Sequence, residues 1–367
     1  MTKHLHIARK HLFPFIQNEQ IGYIDRSGHI VMSPHYAAPK DKKDVLSLAV
    51  HRFRDGLAAV RTGESWGYIN TRGKFVVDAD YQGAGPFQEG LAPVALAGKW
   101  GFIDKKGNIA INPQFEDADL FTEGRAAACR DGKWGFIGTG GKFTIDAQFD
   151  AVSGSRWDLI HDPRFGRGRF GDGLAGARTG AKWGYIDRNG RFAIRPQFED
   201  ARNFLDGLAG VRFGGKWGFI DADGRFAINP QFDEVGGFVE KAAPAKSGAE
   251  WGFIDAESRW IAKPQFQDAH SFADGLAAVK FSSKWGFVDP VGKYAIDPEF
   301  DEAGDFEEGI APVVVAGKWG YIDKEGEFVL DPHRSEKREA EKERETRRPA
   351  EVAEPPRKAV IGRGRKV

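Results

Sequence analysis

Hydrophobic and polar positions in this chain alternate in short runs separated by turns. Leu-Ala-x-Val, as at 208–211, has the period-2 alternation of a half-buried strand. A glycine-containing turn follows, then Trp-Gly-Phe-Ile-Asp, a second strand. The next turn is Asp-x-x-Gly, as at Asp104 to Gly107, Asp187 to Gly190 and Asp221 to Gly224. Asp can bond its own backbone there and Gly can take positive φ, so a tight hairpin is expected. Arg225-Phe226-Ala227-Ile228 is a third strand that ends at Pro230, which has no N–H for a ladder. A connector rich in acid and aromatic residues, Gln231-Phe232-Asp233-Glu234, leads onward. No stretch before residue 333 has a helical period, so the body is all-β.

The same three-stranded antiparallel meander returns about every 34 residues. Trp66, Trp100 and Trp134 are spaced by that step, and Trp183, Trp217, Trp251, Trp285 and Trp319 form a second run. A glycine, or its substitute, stands ten positions before each Trp. That spacing also uncovers a degenerate first unit, in which His11 precedes Ile21-Gly22-Tyr23-Ile24-Asp25 by ten residues. Nine units then span 11–332, between an N-terminal extension (1–10) and a tail (333–367). Units of this size bury their apolar faces by stacking on one another. The expected architecture is a propeller-like array, with an open superhelical β-solenoid as the alternative. The eight tryptophans are read as structural, each indole packing on the next unit while the adjacent glycine lets a neighbouring aromatic lie across it.

Gly-Lys-Trp-Gly-Phe-Ile-Asp at 98–104, with close copies at 215–221 and 317–323, resembles the WG-repeat (KWG-repeat) proteins of bacteria. The resemblance covers residues 11–332. It implies a repeat fold and carries over no catalytic residues. Ile21 and Glu250 replace Trp and Lys, Asn70 and Gly138 replace Asp, and Ser258 replaces Gly.

Two connectors are long, with insertions within 34–56 and 147–173, both entering between the aromatic-plus-acid connector and the next glycine. Insertions on one face of a repeat array often form its binding surface. The second insertion holds Arg156, Trp157, His161, Arg164, Phe165, Arg167 and Arg169, an aromatic and Arg-rich set of the kind that dominates interface energetics. These are the partner-binding candidates. A loop that merely packs over the junction is the competing reading, and a catalytic His161–Asp162 site is a third.

Composition adds mostly exclusions. Fifty-three Lys and Arg balance 53 Asp and Glu, so the chain as a whole is not a basic nucleic-acid binder. Its single cysteine, Cys129, excludes an intramolecular disulfide framework and a Cys-based zinc site. Cys129 occupies the slot of Arg61, Arg178, Arg212 and Lys280, which predicts exposure. There is no P-loop, no G-x-G-x-x-G between strand and helix, no H-E-x-x-H and no G-x-S-x-G. The Asp-x-Asp-Gly at 221–224 lacks the glutamate of a calcium loop, so no metal or cofactor is expected. Paired carboxylates at Glu116-Asp117, Glu199-Asp200, Asp233-Glu234 and Asp301-Glu302 predict an acidic ladder, solvated or available to a cationic partner.

The tail from Arg334 has twelve basic and seven acidic residues and few apolar ones, the composition of a disordered segment. Its charge leaves open nucleic-acid contact, with solubility the commoner role of such tails. No apolar stretch has signal-peptide or membrane-spanning length, so a cytoplasmic protein without a membrane role is expected. Together these features point to a non-enzymatic scaffold for an unknown protein partner. The alternative is a binder of a small molecule, glycan or nucleotide in a groove or channel between units.

Overall fold

The computed structural model describes residues 11–38, 51–154 and 168–333. They contain strands, turns and no α-helix, and no helix among them is long and apolar enough to cross a membrane. Nine small antiparallel sheets follow one another along the chain as the blades of a β-propeller. The first compact unit ends at Pro332. Numbered from the N-terminus, the blades cover residues 13–37, 57–81, 83–115, 117–149, 151–198, 200–232, 234–266, 268–300 and 302–330.

Blades 3 to 9 carry one strand more than the meander expected from the alternation. In blade 4 the strands are Asp117–Ala118, Arg125–Arg130, Lys133–Gly138 and Phe143–Phe149. The additional strand comes from the connector, where Asp117 pairs with Cys129 and Ala118 with Ala128. Two residues are too few to show a period, which is why the alternation hides this strand. Blades 1 and 2 have three strands among the described residues.

The glycine of Trp-Gly serves a purpose beyond the one expected. Between the pairs Trp134↔Phe149 and Phe136↔Ile145 the fourth strand holds two extra residues, a bulge. Its backbone crosses directly over Gly135, where an added Cβ would lie 2.5 Å from the Ile145 carbonyl oxygen and 2.7 Å from Ala147 N. Gly184 and Gly218 meet the same two backbone atoms in their own blades. The glycine makes room first for the chain's own bulge, and at Gly22 and Gly252 an aromatic ring, Phe15 or Trp260, also comes within 2.8 Å of the same position. Proline suits that bulge because its missing N–H removes nothing from the ladder.

The Asp-x-x-Gly hairpins form as predicted. Asp104 Oδ1 accepts the N–H groups of Lys106 (2.8 Å) and Asn108 (2.9 Å). Asp221 does the same for Asp223 and Arg225, which accounts for the calcium-like spacing. The departures are absorbed locally: Asn70 Oδ1 accepts from Arg72 and Lys74, and Ser258 takes φ 62° in the glycine slot.

The core lies between blades, not within them. Nine clusters of buried apolar side chains draw on adjacent sheets, as where Phe102, Ile111 and Phe115 of blade 3 meet Ala126, Ala128 and Ile137 of blade 4. One contact recurs at every interface from blade 1/2 to blade 8/9. The aromatic two residues after the Trp position meets, edge to face or tilted, a Phe from the next blade's loop. Examples are Tyr68–Phe87 at 4.9 Å, Phe102–Phe121 at 4.9 Å, Phe219–Phe238 at 4.7 Å and Phe287–Phe306 at 4.8 Å. The tryptophans flank this contact: Trp217, Trp285 and Trp319 are buried, and Trp66, Trp100, Trp134, Trp183 and Trp251 are half-buried. Cations from neighbouring strands cover several indoles, Arg202 at 4.9 Å from Trp217 and Lys280 at 5.7 Å from Trp285.

The last blade packs against the first, so the array closes instead of running on as an open solenoid. Phe13, Phe15 and Ile24 share a cluster with Ile310, Tyr321 and Leu330. Tyr321 Oη donates to the Pro14 carbonyl at 2.6 Å.

Candidate interaction surface

An up-and-down blade puts its first-to-second-strand loop and its third-to-fourth hairpin at one end. The other turn and the connector lie at the opposite end. At the connector end charged side chains tie neighbouring blades. Lys133 of blade 4 reaches Asp150 at the start of blade 5 (2.5 Å), and Lys216–Asp233 (2.6 Å) and Lys284–Asp301 (2.5 Å) repeat that tie. The same carboxylates accept turn N–H groups, Gly180 on Asp150 and Gly248 on Asp233. Glu116 accepts from Gly132. The lysine ammonium, then the turn N–H, hold Asp150 and Asp233 below the usual carboxylate range. The acidic ladder is thus a partly solvated row of carboxylates that also brace turns and tie blade to blade.

Cys129 is also corrected. It is buried between its register partners Asp117 and Trp134, with Sγ 3.6 Å from Glu116 Oε2. A long cation in that slot carries its charge past the indole to water, whereas the short thiol ends beneath it.

The opposite end varies. In each loop the repeat Phe is fixed as the inter-blade contact, but the two positions before it change in chemistry from blade to blade. They read His51 and Arg52 in blade 2, Asp119 and Leu120 in blade 4, Arg202 and Asn203 in blade 6, and His270 and Ser271 in blade 8. Sequence reasoning missed these positions, although a column that varies beside an unvarying Phe was there to be read. Several link neighbouring blades: Ser153 Oγ donates to Asn203 Oδ1 (2.6 Å), Arg202 meets Glu234 (3.3 Å), and His270 Nδ1 lies 2.8 Å from Asp305. His51 is buried, with Nδ1–H donating to the Ala59 carbonyl at 2.8 Å and the ring stacked 5.4 Å from Trp66. Burial pushes its pKa down to about 4, so it stays neutral at pH 7.

Farther along each loop an acidic residue takes positive φ just before the glycine. Asp55, Asp172 and Asp274 each accept the N–H of the equivalent glycine in the next blade, at 2.8–3.0 Å. These carboxylates cap loops across blade boundaries and are mostly exposed at the same end.

Of the sequence-predicted partner residues, Arg156, Trp157, His161, Arg164, Phe165 and Arg167 lie outside the described residues. Arg169 is described and half-buried, next to Phe170, whose ring meets Phe136 at 5.0 Å. The roots of the segment are clear. Gly168 N–H donates to the Ser153 carbonyl at 2.7 Å, and Ser153 is fixed in turn by Asn203 and by the Gly176 N–H. The chain therefore departs and returns at one hydrogen-bonded point, at the variable end. No group of three or more His, Cys, Asp or Glu side chains that could hold a metal occurs among the described residues.

A family model described as "WG containing repeat" matches eight stretches, 66–100, 100–134, 134–155, 183–217, 217–249, 251–285, 285–319 and 319–333. The chain belongs to the WG-repeat family. Blade 1, with Ile21 in the Trp slot, lies outside the matched WG repeats yet has the same three-stranded core. No curated protein matches the sequence. Among solved structures the WG-repeat ring is similar to one titled "Crystal structure of the eukaryotic initiation factor". The TM-score is 0.55 at 11% identity, covering 87% of this chain and 94% of that one. That likeness shows fold alone. More distant are apo AztD from Citrobacter koseri (TM-score 0.41, 12% identity, 77% of this chain and 92% of that one) and the dihydro-heme d1 dehydrogenase NirN in complex with DHE (TM-score 0.46, 14%, 87% and 72%). Neither bears on function.

Proposed function

We infer that this WG-repeat propeller is a non-enzymatic scaffold that binds a protein partner through the variable loop end of the ring. One observation supports the reading: the residues that differ between blades, several of them buried or bridging neighbouring blades, and the root of the 155–167 segment share one end with the exposed Asp55, Asp172 and Asp274. Extended surfaces of varied side chains on a rigid repeat frame suit recognition of another macromolecule. The arginines and Trp157 of that segment supply anchors of hot-spot type. A lone cysteine thiol, not a disulfide, suits a cytoplasmic setting.

Deleting 156–167 tests the reading. Because Gly168 and Ser153 already meet, the deletion is expected to leave the melting temperature nearly unchanged while abolishing recovery of a specific protein in cross-linked pull-downs. Unfolding of the deletion variant, or unchanged recovery, would reject the loop as the contact. A thermal shift with a metabolite and no protein recovered would favour small-molecule binding instead.

A further inference from the structure

Eight of the nine blade interfaces join units that are consecutive in the chain. The ninth joins units about 300 residues apart, and it is built differently. No strand is exchanged across it among the described residues: blade 1 runs from Phe13–Gln17 to Ile30–Ala37 with three strands, and blade 9 from Glu302–Ala303 to Phe328–Leu330 with four. The repeated aromatic contact, 4.7–5.0 Å elsewhere, is replaced by Phe13–Tyr321 at 6.0 Å. The outer aromatic pair found between many blades, such as Phe198–Phe226 and Phe300–Phe328, has no counterpart there among the described residues. Apolar packing persists, with Val314 and Trp319 sharing a buried cluster with Leu12, Ile16 and Ile21, and polar contacts are added to it. Arg52 and Arg54 of the loop before blade 2 reach past blade 1 to Glu307 of blade 9, and His11 pairs with Glu308.

We propose that the blade 9–blade 1 seam is a gate, at which the ring opens reversibly while the other eight interfaces stay packed, and that the Arg52/Arg54–Glu307 clasp sets how often it opens. The physical ground is connectivity together with packing. Two consecutive blades that part remain tethered by a short connector and gain little freedom. Blades 9 and 1 share no connector, so parting them releases the chain's longest closed loop. Among the described residues the interface that holds them has a single aromatic pair, as the blade 2–blade 3 interface does, and it also leans on partly exposed ion pairs, features of a low-stability opening unit.

Hydrogen-exchange mass spectrometry on the full chain at pH 7 tests this. Peptides covering Phe13–Gln17 and Lys318–Asp323 should exchange together, through one shared opening, faster than peptides covering Lys216–Ile220 of blade 6. Glu307→Gln should accelerate the seam peptides about fivefold and leave blade 6 unchanged, and raised salt should act in the same direction. The control Asp233→Asn, at a regular interface, should leave the seam as it was. Equal rates in seam and blade 6, exchange confined to blade 1 with blade 9 protected, or equal acceleration by both substitutions would each overturn the gate.

Discussion

A regular interface and the closing seam solve the same packing problem with different materials. At a regular interface an aromatic on the third strand, as at Phe219, meets a loop Phe of the next blade, here Phe238, and both are almost fully buried. A lysine from the Gly-Lys-Trp-Gly run ties the far end. At the seam the loop Phe is absent among the described residues. Phe13 comes instead from a strand, Tyr321 anchors on a backbone carbonyl, and arginines from blade 2 reach across. Tandem copying can produce the first arrangement eight times, because each unit carries both halves of the contact. In the first unit the slot of the loop Phe, thirteen positions before the Trp position, holds Ala8, outside the described residues, so the last contact uses residues that depart from the repeat.

That comparison breaks most severely at the regular contact. Phe219→Ala should destabilise the ring by roughly 3–5 kcal/mol, a large-to-small change at a site with little room to collapse. Trp134→Ala, removing a half-buried indole, should cost about 2 kcal/mol. Chemical denaturation of both variants ranks the two positions. A larger loss from Trp134→Ala would return the organising role to the tryptophans. Gly218→Ala should cost about 3 kcal/mol, since its Cβ would collide with the Ile228 carbonyl and Pro230 N. Gly207→Ala faces open space and only the strain of φ 81°, so about 1 kcal/mol is expected.

These pairs also mark what could be read in advance. Strand alternation, the 34-residue period and the Asp-x-x-Gly hairpins are local, and the residues stated them, including the hidden unit around Ile21. Trp was conspicuous because it is rare, yet Tyr68 and Phe219, two positions later, are the residues at full burial. Periodicity weights every repeated position alike and cannot rank depth. The bulge over Gly135 was hidden for another reason: it is a contact between backbones, and no side chain reports it. Closure was illegible too, since it depends on Arg52, Glu307 and Pro14, none of which belongs to the repeat. The variable loop positions were legible in principle, as columns that change beside an unvarying Phe.

His51 sharpens the comparison near the seam, because its carbonyl accepts the Tyr23 hydroxyl at 3.0 Å while its ring sits buried and neutral. The folded pKa of about 4 lies below the ordinary value of 6.5. Between those values the unfolded chain binds the proton and the folded ring does not. The stability is therefore fully present above pH 6.5 and is lost as pH falls toward 4, by about 3 kcal/mol in all. His51→Gln should flatten the stability profile over pH 4–6.5. An unchanged slope would place the titration elsewhere.

The smallest effect discriminates best between the two kinds of interface. Tyr68 donates its hydroxyl to the Gly85 carbonyl at 2.8 Å, and Tyr321 donates to Pro14 at 2.6 Å. Phe102, Phe136 and Phe219 stand in the Tyr68 slot of their blades without any hydroxyl, so a regular interface tolerates the loss. Tyr68→Phe should accordingly cost under about 0.5 kcal/mol. Tyr321→Phe leaves the Pro14 carbonyl without its donor at an interface whose aromatic pair is already wider, and about 1–1.5 kcal/mol is expected. The two melting temperatures, measured side by side at pH 7, decide the matter. Equal losses would mean that the seam is held like any other interface and that its polar contacts are incidental to closure.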